Sequence, residues 1–273
     1  MIDLLYGRRP VYEALRAGRR RIYKLMLAEG VRERGKGAGS IGQIVSMARS
    51  AGATLSRSPR HELDRLTSRH QGVVAETSPY PYAGLDDILS SAADQQVPPL
   101  FLLLDLLQDP QNVGSLLRTA EAVGVHGVVI PRRRAVGVTP AVVSASAGAV
   151  EHLLVAQVTN LARTIDELKR RVPMPLCCAN AAQGRFTDLW IAGLEADPDA
   201  QPYDQADLRG PLALVVGGEG SGLRRLVREK CDFLLRLPMR GRVASLNAAV
   251  AGSVALYEVE RQRRAGDTGS LKH

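Results

Sequence analysis

Leu237-Pro238-Met239-Arg240-Gly241-Arg242-Val243-Ala244-Ser245-Leu246-Asn247-Ala248-Ala249-Val250-Ala251 runs from an apolar strand, through a turn bearing proline and glycine, into a long helix of small residues. Ser245 and Asn247 stand at the turn-to-helix junction. Backbone N–H groups there lack intrahelical partners, and a ligand can approach the chain closely. A routine reading starts the helix with Ser245 as its N-cap. The face formed by Ala248, Ala249, Ala251, Gly252 and Ser253 is bare. It permits close approach of another backbone, either a knot loop or a second subunit.

Two further glycine-bearing turns precede this stretch, and each follows an apolar strand. The first is Asp109-Pro110-Gln111-Asn112-Val113-Gly114. It opens a helix that Asn112 or Ser115 could cap, with Leu116, Leu117, Ala120 and Val123 as the buried stripe and Arg118 off that stripe. The second is Gly217-Gly218-Glu219-Gly220-Ser221-Gly222. Leu223 follows where a phosphate-binding loop needs lysine, and it also replaces the last glycine of a dinucleotide fingerprint. Glu219 would repel a phosphate at a helix start, so a ligand with a cationic or neutral hydrogen-bonding group fits better. Three such turns suggest one site at a single edge of a sheet.

From Leu100 onward the pattern is strand, turn and helix repeated. Strands read at Phe101–Leu106, Gly127–Ile130, Pro175–Ala179, Leu212–Val216 and Phe233–Leu237. Helices read at Val113–Val123, Ala141–Ala149, Leu161–Arg171, Gly222–Lys230 and Leu246–Arg261. The strands are nearly continuous apolar runs, as in a parallel sheet covered on both faces. Residues 1–78 read as a small α/β module, with helices at Ile41–Ser50 and His61–Thr67 and strands at Ile22–Leu27, Ala53–Leu55 and Val73–Glu76. A basic, glycine-rich loop is expected at Arg32–Gly39. Pro79-Tyr80-Pro81-Tyr82 and Pro98-Pro99 bracket a linker over 79–99 with a short helix at Leu85–Ser91. The main domain then occupies 100–265, and a frayed tail occupies 266–273.

The net charge is +8, and residues 1–80 carry all of it, with 15 Lys/Arg against 7 Asp/Glu. A basic module beside a neutral one suggests a polyanion-binding domain joined to a domain with other work. The alternative is a solvated basic surface. Aromatic residues are only 4% of the chain, so base stacking would not dominate a nucleic-acid contact. Arg132-Arg133-Arg134 could touch an RNA backbone, although charge runs are usually just solvated. His126, His152 and Trp190 read as packing or surface residues. Cys177, Cys178 and Cys231 form no CxxC pair, and the five histidines are scattered, so no metal site is expected. No apolar run approaches membrane-spanning length and no signal core opens the chain, so a soluble cytoplasmic protein is expected.

Taken together, the three turns resemble the motifs of the SpoU/TrmH family of RNA ribose 2'-O-methyltransferases, within the SPOUT superfamily. The first resembles Asn112-Val113-Gly114-Ser115-Leu116-Leu117-Arg118-Thr119-Ala120, the second Gly217 through Leu223, and the third Leu237-Pro238-Met239 through Ser245-Leu246-Asn247. Ala145-Ser146-Ala147-Gly148-Ala149 is similar to a family segment between the first two. Gly7-Arg8-Arg9-Pro10-Val11-Tyr12-Glu13-Ala14-Leu15 and His70-Gln71-Gly72-Val73-Val74-Ala75 resemble the L30e-like substrate-binding domain of the rRNA branch, nearest the bacterial large-subunit rRNA guanosine type. Ala248-Ala249 stands where Val-Ser often follows the asparagine, a small-for-small exchange.

The resemblance implies a SPOUT catalytic domain with a parallel sheet and a trefoil knot, S-adenosylmethionine as cofactor, RNA as substrate and a homodimer. It places Gly217, Gly218, Gly220, Leu237, Met239 and Leu246 around the cofactor. It places Arg118, Asn112, Glu219, Ser245 and Asn247 at the chemistry, with Arg118 near the ribose hydroxyl and its phosphate. Arginine is too basic to act as the proton acceptor, so Arg118 would hold charge there. A tRNA substrate is the alternative within the enzyme class. A non-catalytic RNA-binding assembly factor is the alternative outside it.

Overall fold

The computed structural model describes residues 2–32, 39–95, 97–172, 188–220 and 222–269, with side chains through 265. In chain order the elements are β1 (Asp3–Tyr6), α1 (Arg8–Ala17), β2 (Ile22–Ala28), α2 (Ile41–Ser50), β3 (Thr54–Ser58), α3 (Arg60–Leu66), β4 (Val73–Thr77), α4 (Leu85–Ala93), β5 (Leu100–Asp105), α5 (Pro110–Ala122), β6 (Gly127–Pro131), α6 (Pro140–Ala145), β7 (Val155–Val158), α7 (Leu161–Arg171), β8 (Trp190–Leu194), β9 (Gln201–Pro202), β10 (Leu212–Gly217), α8 (Arg225–Arg228), β11 (Phe233–Arg236) and α9 (Ala248–Gly269). A 3-10 turn covers Ala149–His152. Two compact units result: Met1–Pro81 with Val113–Arg118 and Val138–His152, and Tyr82–Asn112 with Thr119–Gly137 and Leu153–His273.

The first unit holds a four-stranded sheet in the order β1-β4-β2-β3. Strands β2 and β3 are parallel, while the β1–β4 and β2–β4 pairs are antiparallel. Met26, Ala28, Leu63 and Val74 form one buried cluster of this unit. Gly114 on α5 sits against α6, where a Cβ would lie 2.4 Å from the Ala145 Cβ and 2.9 Å from the Ser146 backbone nitrogen. Its place in the first motif is thus explained by helix packing. A buried ion pair also belongs to this unit. Arg20 lies 2.9 Å from Glu151, and both side chains are essentially inaccessible to solvent. Arg20 also reaches Asp3 at 3.1 Å.

The second unit is built on a seven-stranded sheet in the order β7-β6-β5-β10-β8-β11-β9, parallel throughout. Phe101, Leu103, Val129, Ile191, Ala213 and Val215 fill one buried cluster against this sheet. Strands buried on both faces need no polar alternation, which is why they read as continuous apolar runs. The helices start on polar caps: Asp109 before α5, Thr139 before α6 and Asn160 before α7. Pro110 and Pro140 occupy first helical positions, where a missing N–H costs nothing.

Several expectations change. The cap of α5 is Asp109, not Asn112 or Ser115, because its carboxylate accepts from the Gln111 and Asn112 backbone N–H groups. The helix expected at Gly222–Lys230 shrinks to the single turn of α8. The last helix begins at Ala248 and continues to Gly269, past the point where fraying was expected. Strands β1, β7, β8 and β9 were not anticipated; β9 is only two residues long. The expected strand Pro175–Ala179, with Cys177 and Cys178, and most of the basic loop at Arg32–Gly39 lie outside the described residues.

His126 is a packing histidine, buried, with Nδ1 accepting from the Leu100 N–H. Trp190 is nearly half exposed and tilts against the Phe233 ring. Among the described residues no helix is long and apolar enough to cross a membrane, and no cluster of metal-ligating side chains occurs. Burial, reinforced by the Asp232 carboxylate, pushes the Cys231 thiol up to about 12. In the folded protein Cys231 should therefore resist alkylation at pH 8, since the thiolate is the reactive form. Rapid labelling by iodoacetamide, mapped to Cys231 by mass spectrometry, would contradict this.

Candidate active site

Strand order places the site. From β5 the chain runs outward through β6 to β7 on one side, and it places β8, β9, β10 and β11 on the other side of β5. Ligands of open parallel sheets bind outside the carboxyl ends of strands at such a divergence. Beyond the ends of β8, β10 and β11 lies a cavity of about 470 Å³, within the size range of cofactor pockets. Gly217, Gly218, Gly220, Leu237, Met239 and Leu246 all line it, as do Glu219 and Ser245. Ala248 and Ala251 from the bare helix face complete one wall.

The end of β8 and the loop after it supply Leu194, Glu195, Ala196 and Asp197 to the same cavity. These residues were missed in the sequence. The apolar run Leu189–Leu194 was the available signal, and Glu195 at its end is the polar residue that a strand-end site needs.

The glycine turn is held by the protein's own carboxylates. Glu195 accepts from the Leu223 N–H at 2.6 Å, and Asp105 accepts from the Arg224 N–H at 2.8 Å. Asp105 is fully buried and also pairs with the Arg224 guanidinium at 2.6 Å. Two N–H groups at the start of α8 are therefore already satisfied and are not free to cradle a phosphate. Three carboxylates, Glu195, Asp197 and Glu219, face the cavity lining, and no lysine or arginine does among the described residues. Asp197 pairs with Arg228, while Glu219 is exposed.

Gly217 allows the tightest approach. A Cβ there would lie 2.4 Å from the Gly222 carbonyl carbon, which is backbone and cannot yield cheaply. Gly217→Ala should therefore distort the turn and lower cofactor affinity by at least about tenfold, the consequence of about 1.4 kcal/mol. Calorimetric titration with S-adenosylmethionine measures it; an unchanged Kd would contradict the reading.

The first and third turns meet through two asparagines. Asn247 Nδ2 donates to Asn112 Oδ1 at 2.9 Å. Asn247 Oδ1 in turn accepts from the Ala249 and Val250 N–H groups at 2.9 and 3.2 Å. Asn247, not Ser245, is thus the residue that caps α9. The Asp109 carboxyl is held below its ordinary pKa by the Gln111 N–H and by hydrogen bonds from Asn112. Asp109, Asn112 and Asn247 form one chain of hydrogen bonds that fixes both amide orientations. Further along α9, Ser253 shares a hydrogen bond of 2.9 Å with Thr119. Arg118 is exposed on α5, six residues after Asn112, and pairs with no carboxylate among the described residues.

Comparison with known families fits this geometry. Residues 99–257 match the SpoU rRNA methylase family. The chain belongs to the SpoU methylase family. Residues 4–83 match the substrate-binding domain of RNA 2'-O ribose methyltransferases. YacO of Bacillus subtilis (strain 168), assigned to the TrmH family of tRNA/rRNA methyltransferases, is 45% identical over 96% of both chains. A Staphylococcus haemolyticus relative with the same assignment is 42% identical over 95% of this chain and 96% of its own. Among solved structures, the SpoU methyltransferase AviRb from Streptomyces viridochromogenes, in complex with AdoMet, superposes with a TM-score of 0.72 at 27% identity. That match covers 97% of this chain and 92% of AviRb. As a SpoU/TrmH family member, this chain is an RNA methyltransferase with a parallel α/β catalytic sheet and an N-terminal substrate-binding domain.

Proposed function

We propose that this SpoU family member transfers a methyl group from S-adenosylmethionine to a ribose 2'-hydroxyl of RNA, on a guanosine of large-subunit rRNA. The observation that carries the reading is the cavity lining: glycine backbone, apolar side chains and carboxylates, with no cationic side chain among the described residues. A phosphate-bearing nucleotide would be repelled there. An adenosine that carries a positive sulfonium, and no phosphate, fits that lining.

When bound, S-adenosylmethionine supplies an electrophilic methyl group. Backbone at Gly217, Leu237, Met239 and Leu246 would hold its adenine and ribose, with Gly218 and Gly220 completing the turn. The target hydroxyl is a poor nucleophile until it loses its proton. Arg118 would fork onto the adjacent phosphate and stabilise negative charge developing on the oxygen. Asn112 and Asn247, fixed by their mutual hydrogen bond, would orient the ribose. Glu219 and Ser245, exposed at the cavity mouth, would position the reacting groups.

The basic N-terminal module favours large-subunit rRNA, since residues 1–80 carry the whole net charge of +8. A knotted passage of Leu237–Asn247 and a homodimer are part of the proposal. Val250, Val254 and Tyr257, at helical spacing on α9, expose a row of apolar side chains suited to a second copy. A cytoplasmic location follows from the proposed substrate. The test is transfer of labelled methyl to rRNA and, separately, tRNA, each from cells lacking the corresponding enzyme. Label in large-subunit rRNA supports the proposal. Label confined to tRNA would overturn the substrate, and cofactor binding without transfer to either would overturn the activity.

A further inference from the structure

Arg132-Arg133-Arg134 follows β6 at the same carboxyl edge of the sheet that carries the cavity. All three side chains are exposed, and none pairs with a carboxylate among the described residues. Isolated, such a run would be a solvated loop. Its backbone argues otherwise. Arg134 has φ 60 and Leu106, in the neighbouring loop after β5, has φ 64. Left-handed backbone at bulky residues is costly and persists only where surrounding structure holds it.

Here hydrogen bonds hold it. The Val136 N–H donates to the Leu107 carbonyl at 3.0 Å, and Gln108 Nε2 donates to the Arg134 carbonyl at 3.4 Å. Leu106 in turn backs onto the cavity turn, where a Cβ on Gly218 would lie 2.9 Å from the Leu106 carbonyl oxygen. The loops after β6, β5 and β10 therefore form one braced edge. Asp109 and Asn112 continue from the middle loop, and Asn112 meets Asn247 of the third motif. The arginines stand beside the site, while no cationic side chain lines the cavity among the described residues.

We propose that the Arg132–Arg134 loop is a phosphate-gripping lip that holds the RNA backbone beside the target nucleotide. This rests on the reading of the chain as an RNA methyltransferase. It divides the labour: carboxylates and glycines face the cofactor cavity, and a strained cationic loop next to it meets the polyanion. Arginine suits that role because its planar fork matches phosphate oxygens.

The test measures binding of a fluorescent large-subunit rRNA fragment as salt is varied, together with methyl transfer and S-adenosylmethionine affinity. The triple variant R132A/R133A/R134A should bind RNA about tenfold more weakly, with a log–log salt slope shallower by about 2, as for three single-strand phosphate contacts. S-adenosylmethionine affinity should be unchanged. Arg134→Gly suits the left-handed backbone, so it should keep the melting temperature while still weakening RNA binding. Arg170→Ala, which removes one exposed charge from α7, controls for general electrostatics and should leave the slope near the wild-type value. An unchanged slope and affinity in the triple variant, with wild-type binding intact, would overturn the lip, as would a wild type that binds no RNA. Absence of methyl transfer by the wild type, with the slope change still present, would overturn the parent reading alone.

Discussion

Replacing Arg118 with alanine is expected to lower methyl transfer about a hundred- to a thousand-fold, the effect of losing one preorganised charge at an oxyanion. Its S-adenosylmethionine affinity should not change, because Arg118 is absent from the cavity lining. The melting temperature should hold as well, since the side chain is exposed and supports no ion pair among the described residues. Arg118→Lys should recover only part of the rate, since an ammonium keeps the charge but loses the fork that grips a phosphate. Single-turnover transfer to rRNA separates these effects from product release. A rate for Arg118→Ala within threefold of wild type would remove Arg118 from the chemistry.

Replacing Glu151 with alanine should have the largest effect on stability. Arg20 and Glu151 are joined by two contacts, Nε to Oε2 at 3.0 Å and Nη2 to Oε1 at 2.9 Å. Burial raises the Glu151 carboxyl above its ordinary pKa, and the Arg20 charge opposes that rise. Tyr80 stacks over the same guanidinium at 5.1 Å, and burial pushes its phenol up to about 12. Removing Glu151 strands a buried guanidinium with Asp3 as its remaining carboxylate, and breaking such a pair costs about 3 kcal/mol or more. Urea unfolding measures it; a loss below about 1 kcal/mol would mean that water or Asp3 compensates. Arg20→Met together with Glu151→Leu should recover much of the loss, because apolar residues of similar volume often replace a buried pair without penalty.

The parallel sheet was legible because strands covered on both faces read as short apolar runs between turn signals, as Leu100–Leu104 and Leu212–Val216 do. Helix α7 was legible to the residue, as its apolar stripe begins straight after a capping asparagine. Short edge strands carry no such signal: β9 has two residues, and no periodicity exists at that length. Among the site residues, the glycine turns could be seen because glycine and proline punctuate a chain locally. For Glu195 the run Leu189–Leu194 signals only a strand end, and its place at the cavity depends on β8 inserting between β10 and β11. The exchange of Ser245 for Asn247 as the cap has a similar cause. Both residues can cap, and Asn247 alone can also donate an amide N–H to Asn112.

On the proposed function the methyl group lands on a ribose oxygen. Nucleoside mass spectrometry of large-subunit rRNA, methylated by the purified protein, tests it most directly. A single 2'-O-methylguanosine is expected, with the added mass retained on the ribose fragment and lost in Arg118→Ala. A methyl group on the base fragment, or none on rRNA while S-adenosylmethionine binds, would contradict it.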